Sequence, residues 1–341
     1  MSRTAATILF LASLAACLAP QPCFVPASEI GTDTRILGVR VDPPESTADL
    51  TGADPLLPSA VSMLVVTSLE TPLPTTISIC LPPSVSEVDA EPGCPVGSPV
   101  IAELPSVPDL NHPFIYTPPL SLLQQQVDID PVHGLAGVQL LLQISVAGDS
   151  GPVLAIKSLD YQLKGSLASV NHGLEVVGME ASNNGVHTDY PPPASIPLVV
   201  GQPNGLRPLI EPGPGAATAA ETYLAYDNSG HLVQLQEQIT YTFFVRSGLI
   251  FGPFINGAAI YSNDPTNVAD EPPPGTPDPP DGLVTVVPDD QGVYSNYIYV
   301  VARDGRGAVA WNTSLFVTID PRPCSADGFG MKCPQILLGC E

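Results

Sequence analysis

Seven cysteines, Cys17, Cys23, Cys80, Cys94, Cys324, Cys333 and Cys340, are the residues of this 341-residue chain best suited to chemistry. A thiol can carry an acyl or thioether group, ligate a soft metal, or oxidise to a disulfide, and spacing discriminates among these fates. Metal ligation fits poorly. Cys324, Cys333 and Cys340 lack C-x-x-C spacing and have no histidine nearby. Oxidative pairing fits better, but an odd count leaves one thiol over. Cys80 and Cys94 bracket a short Pro/Gly-rich loop between two strand-like stretches and are the expected pair. Cys23 with Cys324, Cys333 and Cys340 would supply two further bridges, tying the start of the chain to its tail, although spacing alone leaves the connectivity open.

The remaining reactive residue types form no recognisable constellation. Five histidines (His112, His133, His172, His187, His231) are scattered beside Gly, Pro or Asn, with no HExxH or i,i+4 pairing. Gly148-Asp149-Ser150-Gly151 has the wrong spacing for a nucleophile elbow and suits a turn. Gly305-Arg306-Gly307 suits a hairpin tip better than a phosphate cradle. The acid pairs Asp289-Asp290 and Asp128/Asp130 fall in turn-like stretches where carboxylates are simply solvated. Calcium has the only claim among cofactors: Asp264, Asp270, Glu271, Asp278 and Asp281 crowd one oxygen-rich loop. That loop lacks the alternating D-x-D-x-D-G spacing, and prolines stiffen it. The expectation is therefore no catalysis, no resident metal and no cofactor.

The start of the chain is more specific. Arg3 precedes an apolar run, Ala5–Ala16, of signal-peptide length and too short to span a bilayer. It ends in Leu14-Ala15-Ala16-Cys17, which resembles the lipobox of bacterial lipoproteins. The resemblance implies a diacylglyceryl group on the Cys17 thiol, cleavage before it, and acylation of the new amine. Two or more acyl chains hold a protein on a membrane durably, where one binds reversibly. Leu18, in place of an aspartate, points to the outer membrane. The alternative is an ordinary secretory signal with Cys17 in the discarded peptide. Removing residues 1–16 takes Cys17's upstream neighbours and one charge, Arg3, and leaves six cysteines beyond Cys17 itself, an even number suited to an oxidising compartment.

Composition narrows the partners. With 34 acidic and 11 basic side chains the net charge is −23. That balance disfavours nucleic acid and peripheral docking on anionic lipid. A hydrophobic share of 44% is enough for packed cores despite 41 prolines. The expected partners are the membrane, through the lipid, and an envelope protein or polysaccharide.

Period-two alternation dominates the rest, with Pro, Gly, Asn and Asp as punctuation. Residues 17–34, with Pro20, Pro22 and Pro26, form a tether. A first β-domain over 35–165 opens with Ile36–Val41, putting Leu37, Val39 and Val41 on one face. Ala60–Leu69, Thr76–Leu81 and Val138–Val146 continue it, the last aiming Val138, Leu140, Leu142, Ile144 and Val146 one way. Val153–Leu163 returns after a turn, and Leu120–Val127 is the one short helix. A second β-domain over 170–320 includes Leu174–Met179, a stretch of helical propensity at Ala216–Tyr226, the strand Ile239–Arg246, and the acidic loop 263–282. An outward Phe244 could stack on a sugar, but a buried or inter-domain place suits it better. Residues 321–341 are a Cys-rich tail. The hairpin Tyr297–Ile319 turns at Asp304-Gly305, and its second strand puts Val309, Trp311, Leu315, Val317 and Ile319 on one face, with Trp311 expected in the second core.

Arg303–Trp311 (RDGRGAVAW), with the opening ILGVRVDPP of Ile36–Pro44 and the Cys80…Cys94 spacing, is similar to immunoglobulin-like modules of the PKD or Big type in Gram-negative envelope lipoproteins. The resemblance implies an all-β chain of two immunoglobulin-like β-sandwiches acting as a structural, display or adhesion module. The alternative is a carbohydrate- or ligand-binding lipoprotein using an exposed aromatic face or the acidic loop.

Overall fold

The computed structural model describes, apart from short internal breaks, residues 34–262, 284–287, 297–319, 325–327 and 330–332. The N-terminal half carries β1 (Arg35–Asp42), β2 (Glu45–Ala48), β3 (Ser59–Val66), β4 (Thr75–Cys80), β5 (Val100–Leu104), β6 (Phe114–Tyr116), the helix α1 (Leu120–Ile129), β7 (Val138–Gly148) and β8 (Gly151–Leu163). These strands make two sheets, β1-β3-β6 and β2-β8-β7-β4-β5. Every pairing is antiparallel except one: β2 lies parallel on β8, with Glu45 opposite Asp160. The chain leaves the first sheet for the second at Asp42-Pro43-Pro44, where prolines cannot donate to a ladder.

The core of this half follows the alternation of β7. Val138, Leu140, Leu142, Ile144 and Val146 are all buried and pack against Val39, Val41, Val61 and Met63 from the facing sheet. Leu123 of α1 is fully buried in the same cluster. One facing differs from expectation. The β1–β3 register slips between Ile36 and Gly38, leaving Leu37 as the extra residue of a bulge. A bulge offsets the alternation by one residue. Ile36, Val39 and Val41 therefore join the core while Leu37 turns out of it.

The C-terminal half carries β9 (Leu174–Asn183), β10 (Val186–Tyr190), β11 (Ile196–Val199), β12 (Asn204–Pro212), β13 (Thr222–Tyr226), β14 (Leu232–Gln236), β15 (Thr240–Val245), β16 (Leu249–Phe251), β17 (Phe254–Ile255), β18 (Ala258–Ser262), β19 (Val284–Val287), β20 (Tyr297–Arg303) and β21 (Val309–Ile319), followed by the short ribbon β22 (Ser325–Asp327) and β23 (Gly330–Lys332). Its sheets are β10-β9-β12-β19-β16 and β11-β21-β20-β15-β18-β17. The device of the first half recurs: the edge strand β11 lies parallel on β21, as β2 does on β8. Ile239, Tyr241 and Phe243 pack with Ile298, Val300 and Ala302 in the core, as the alternation of ITYTFFVR requires.

The helical propensity of Ala216–Tyr226 yields to its setting among strands: Thr222–Tyr226 is β13, paired with β14, because Thr, Tyr and the partner strand outweigh the alanines. One expectation fails here. Trp311 lies outside the second core. Ala310 faces that core and buried Asn312 bonds the carbonyl of Val176, whereas Val309 and Trp311 point from the opposite side of the sheet. Alternation tells which residues share a face, but both faces of this sheet are covered, so it could not tell which cover each receives.

Candidate functional site

The cover over Trp311 is the N-terminal half. Leu37 and Val66 from β1 and β3 meet Tyr299 and Val301 from β20 in a buried cluster, with Leu64, Phe244, Val309 and Trp311 packed around it. The bulge at Leu37 supplies this contact, since it turns one β1 side chain toward the other half. Gly38 lets the halves close: a Cβ there would stand 3.3 Å from Trp311 Cε3 and 3.4 Å from Val301 Cγ1. Phe244 is thereby half-buried at the junction, which removes it as a sugar platform.

Beside this cluster runs a polar network organised by Arg306, at the tip of the β20–β21 hairpin. Gly305 (φ 78°) and Gly307 (φ 113°) supply the left-handed turns that project it. Its guanidinium pairs with Glu45 of β2 at 3.1 Å and with Glu237 at 3.0 Å, and donates to the carbonyl of Ser169 at 2.6 Å. It also lies 4.2 Å over the ring of Tyr223. Glu45 accepts the backbone N–H of Asn171 (2.7 Å) and the amide of Gln162 (2.8 Å). Asn171 in turn donates to Asp304 (2.7 Å), whose other oxygen takes the N–H groups of Arg306 and Ala308. Burial raises the pKa of both Glu45 and Glu237, against the opposing pull of their hydrogen bonds and of Arg306. The linker between the halves is held as well, Ser169 exchanging hydrogen bonds with Leu224 of β13.

Seven basic side chains are described: Arg35, Arg40, Lys157, Lys164, Arg207, Arg303 and Arg306. Four of them bond across the junction. Besides Arg306, Arg40 pairs with Glu175 of β9, Lys157 donates to the Gly307 carbonyl, and Arg303 donates to the Leu37 carbonyl at 3.2 Å. A chain so poor in cations concentrates them on one seam. Sequence reading missed this, treating Gly305-Arg306-Gly307 as a bare hairpin tip. The available signal was the scarcity of basic residues, two of which fall within four positions, at Arg303 and Arg306.

A cleft of about 340 Å³ opens on this network, lined by Gln139, Asp160, Gln162, Tyr223, Tyr226 and Arg306 among others. The guanidinium there is committed to Glu45, Glu237 and Ser169, so it works as a clamp between halves. Most of the remaining polar lining is engaged as well, Gln162 Nε2 with Glu45, Asp160 with Gln139 and Ser158, and the Tyr223 ring with Arg306, which leaves Tyr226 and the partnerless Gln162 Oε1 to face a ligand.

The residues singled out in the sequence are mostly dispersed. Cys80 and Cys94 are joined in a disulfide. Cys17, Cys23, Cys324, Cys333 and Cys340, the acids Asp264, Asp270, Glu271, Asp278 and Asp281, and Asp289-Asp290 lie outside the described residues. Asp130 caps a turn by accepting the N–H groups of Val132 and Gly134, and Asp128 accepts from Gln124. His172 and His187 bond Glu221 and Glu180, and His112 and His231 approach Asp109 and Asp227. Among the described residues no three His, Cys, Asp or Glu side chains gather to hold a metal. No family model matches the chain, and no curated protein shows significant similarity to it.

Proposed function

We propose that this is an exported, lipid-anchored protein of the bacterial cell envelope, in which two immunoglobulin-like sandwiches locked into one body act as a non-catalytic display or interaction module. The observation carrying this reading is the junction: an apolar cluster and the Arg306 network hold the halves in one fixed relation. A tether followed by a stiff body is what presentation away from a membrane requires. The sheet orders β1-β3-β6 with β2-β8-β7-β4-β5, and the parallel edge strand repeated in the second half, support the immunoglobulin-like assignment. The Cys80–Cys94 bridge and the Leu14–Cys17 motif support export.

The test is fractionation and lipid labelling of the native protein beside Cys17→Ser. The wild type should label and sediment with outer membrane, and the variant should lose both. Equal labelling of the two, or a purified native chain retaining residues 1–16 without lipid, would reject the anchor. Cross-linking the displayed protein in cells should then capture an envelope protein or polysaccharide, and no capture would reject the interaction role.

A second reading is favoured by the cleft beside Arg306. Tyr226 offers a ring and the partnerless Gln162 Oε1 a planar polar group in the cleft lining, the pairing of groups that a neutral sugar uses. Tyr226→Ala should abolish retention on a polysaccharide column if this reading is right, and unchanged retention counts against it.

A further inference from the structure

On the other side of the junction, a cavity of about 370 Å³ lies between β1, the β8 edge and the β20–β21 hairpin. Two cations line it, Lys157 and Arg303, and neither has a carboxylate within ion-pair distance among the described residues. Arg40, Lys164, Arg207 and Arg306 all have one. In a chain with three times as many acids as bases this segregation is unexpected. Lys157 uses one of its donors on the Gly307 carbonyl. Arg303 uses its guanidinium on Thr242 Oγ1 (3.4 Å) and the Leu37 carbonyl. A guanidinium has five N–H donors and an ammonium three, so donors remain on both. The nearest carboxylates act on Lys157 from beyond contact and are engaged elsewhere: Asp160 with Ser158 and Gln139, Asp304 with Asn171 and two backbone N–H groups. Burial lowers the proton affinity of Lys157, against the pull of Asp160 and Asp304 and with the nearby charge of Arg303 adding to it, and burial alone lowers that of Arg303. The other walls are apolar or bare, with Ile36, Ile156 and Val309 beside Gly38, Gly305 and Gly307.

We propose that this cavity binds a small organic anion, a carboxylate carried on a short apolar body. Arg303 would take the carboxylate through paired N–H donors and Lys157 would add a point charge. Ile36, Ile156 and Val309 would cover the apolar part, in a space within the usual range for ligand pockets. A single negative charge suits the site better than a dianion, because Asp160 and Asp304 stand behind it and the chain as a whole is strongly acidic.

The test is calorimetric titration of the purified full chain with sodium octanoate, with octanol, acetate and inorganic phosphate as comparison probes. Octanoate should bind saturably, more weakly as salt rises, while acetate and octanol each bind at least about tenfold more weakly. Arg303→Gln should weaken octanoate about tenfold or more, the loss of a charge-assisted pair. Lys157→Gln should also weaken it and carries the test if Arg303→Gln does not fold. No saturable octanoate binding, equal binding of octanol, full displacement by phosphate at matched concentration, or unchanged affinity in folded Lys157→Gln would each overturn the proposal.

Discussion

Gly38 and Trp311 belong to different halves of the molecule, yet a Cβ on Gly38 would stand 3.3 Å from Cε3 of the indole. Room for no more than a small side chain at Gly38 is thus a condition for closing the apolar cluster of Leu37, Val66, Tyr299 and Val301. Gly38→Ala leaves contacts of 3.3 to 3.5 Å that small shifts relieve, so its effect should be slight. Gly38→Val places extra methyl groups where Val301 and Val309 already sit and should cost about 1–3 kcal/mol. Trp311 is the only tryptophan, so its emission reports the junction directly. The Val variant should shift that emission to the red at temperatures where far-ultraviolet circular dichroism still shows the strands. Emission unchanged in Gly38→Val would mean the halves do not close through this contact.

Arg306 serves the same junction by charge. Its side chain is 12% exposed, Glu45 11% and Glu237 0%. Removing one partner from such a group leaves uncompensated buried charge, so Arg306→Ala should destabilise by about 3–5 kcal/mol in chemical denaturation. Adding Glu237→Gln to Arg306→Ala should recover part of that loss, because it removes a buried carboxylate that has lost its cation. A double variant as unstable as the sum of the singles would show that Arg306 does not compensate Glu237.

The same carboxylates set a pH dependence. Burial raises Glu45 and Glu237 above their ordinary value of 4.5. A raised carboxyl holds its proton more tightly folded than unfolded, so its stabilising contribution is full below 4.5 and is lost as pH rises through the raised value. Asp49 has the opposite sign. The Thr51 hydroxyl, then Lys164, hold it down to about 2, so its contribution is present above 3.8 and is lost as pH falls from there. The melting temperature should therefore be higher at about pH 5 than at about pH 8, and fall again in stronger acid. Glu237→Gln should flatten the upper slope while leaving the acid limb in place. A melting temperature that declines steadily from pH 8 to pH 5 would contradict this assignment.

These relationships mark where sequence reasoning ran out. Val138–Val146 was legible because one face of β7 meets the core and the other meets water, so polarity alternates with position. The helix over Leu120–Val127 and the turn at Asp304-Gly305 were legible for equally local reasons. Trp311 was assigned to the wrong cover because its sheet is apolar on both sides, and only the tertiary arrangement says what each side meets. Leu37 was misplaced because a bulge is fixed by pairing with β3, which leaves no mark in ILGVRV. Glu45, Asn171, Glu237 and Arg306 are dispersed along the chain and look like surface polars until the halves meet.

The loop closed by Cys80 and Cys94 separates two ways of stabilising one region. The bridge spans 14 positions, and closing a loop of that size contributes about 3 kcal/mol, mainly by restricting the unfolded chain. The Cys94 N–H also donates to Gln143 Oε1 at 2.9 Å, which ties Cys94 to β7 through the folded state alone. A half-exposed hydrogen bond of this kind contributes about 1 kcal/mol. Replacing both cysteines by serine should therefore lower stability roughly three times as much as Gln143→Ala, with the covalent constraint outweighing the docking contact. Reduction of the wild type should reproduce the loss in the double serine variant, whereas Gln143→Ala should remain fully sensitive to reductant. If the double serine variant loses no more than Gln143→Ala, the bridge does not restrain the unfolded chain.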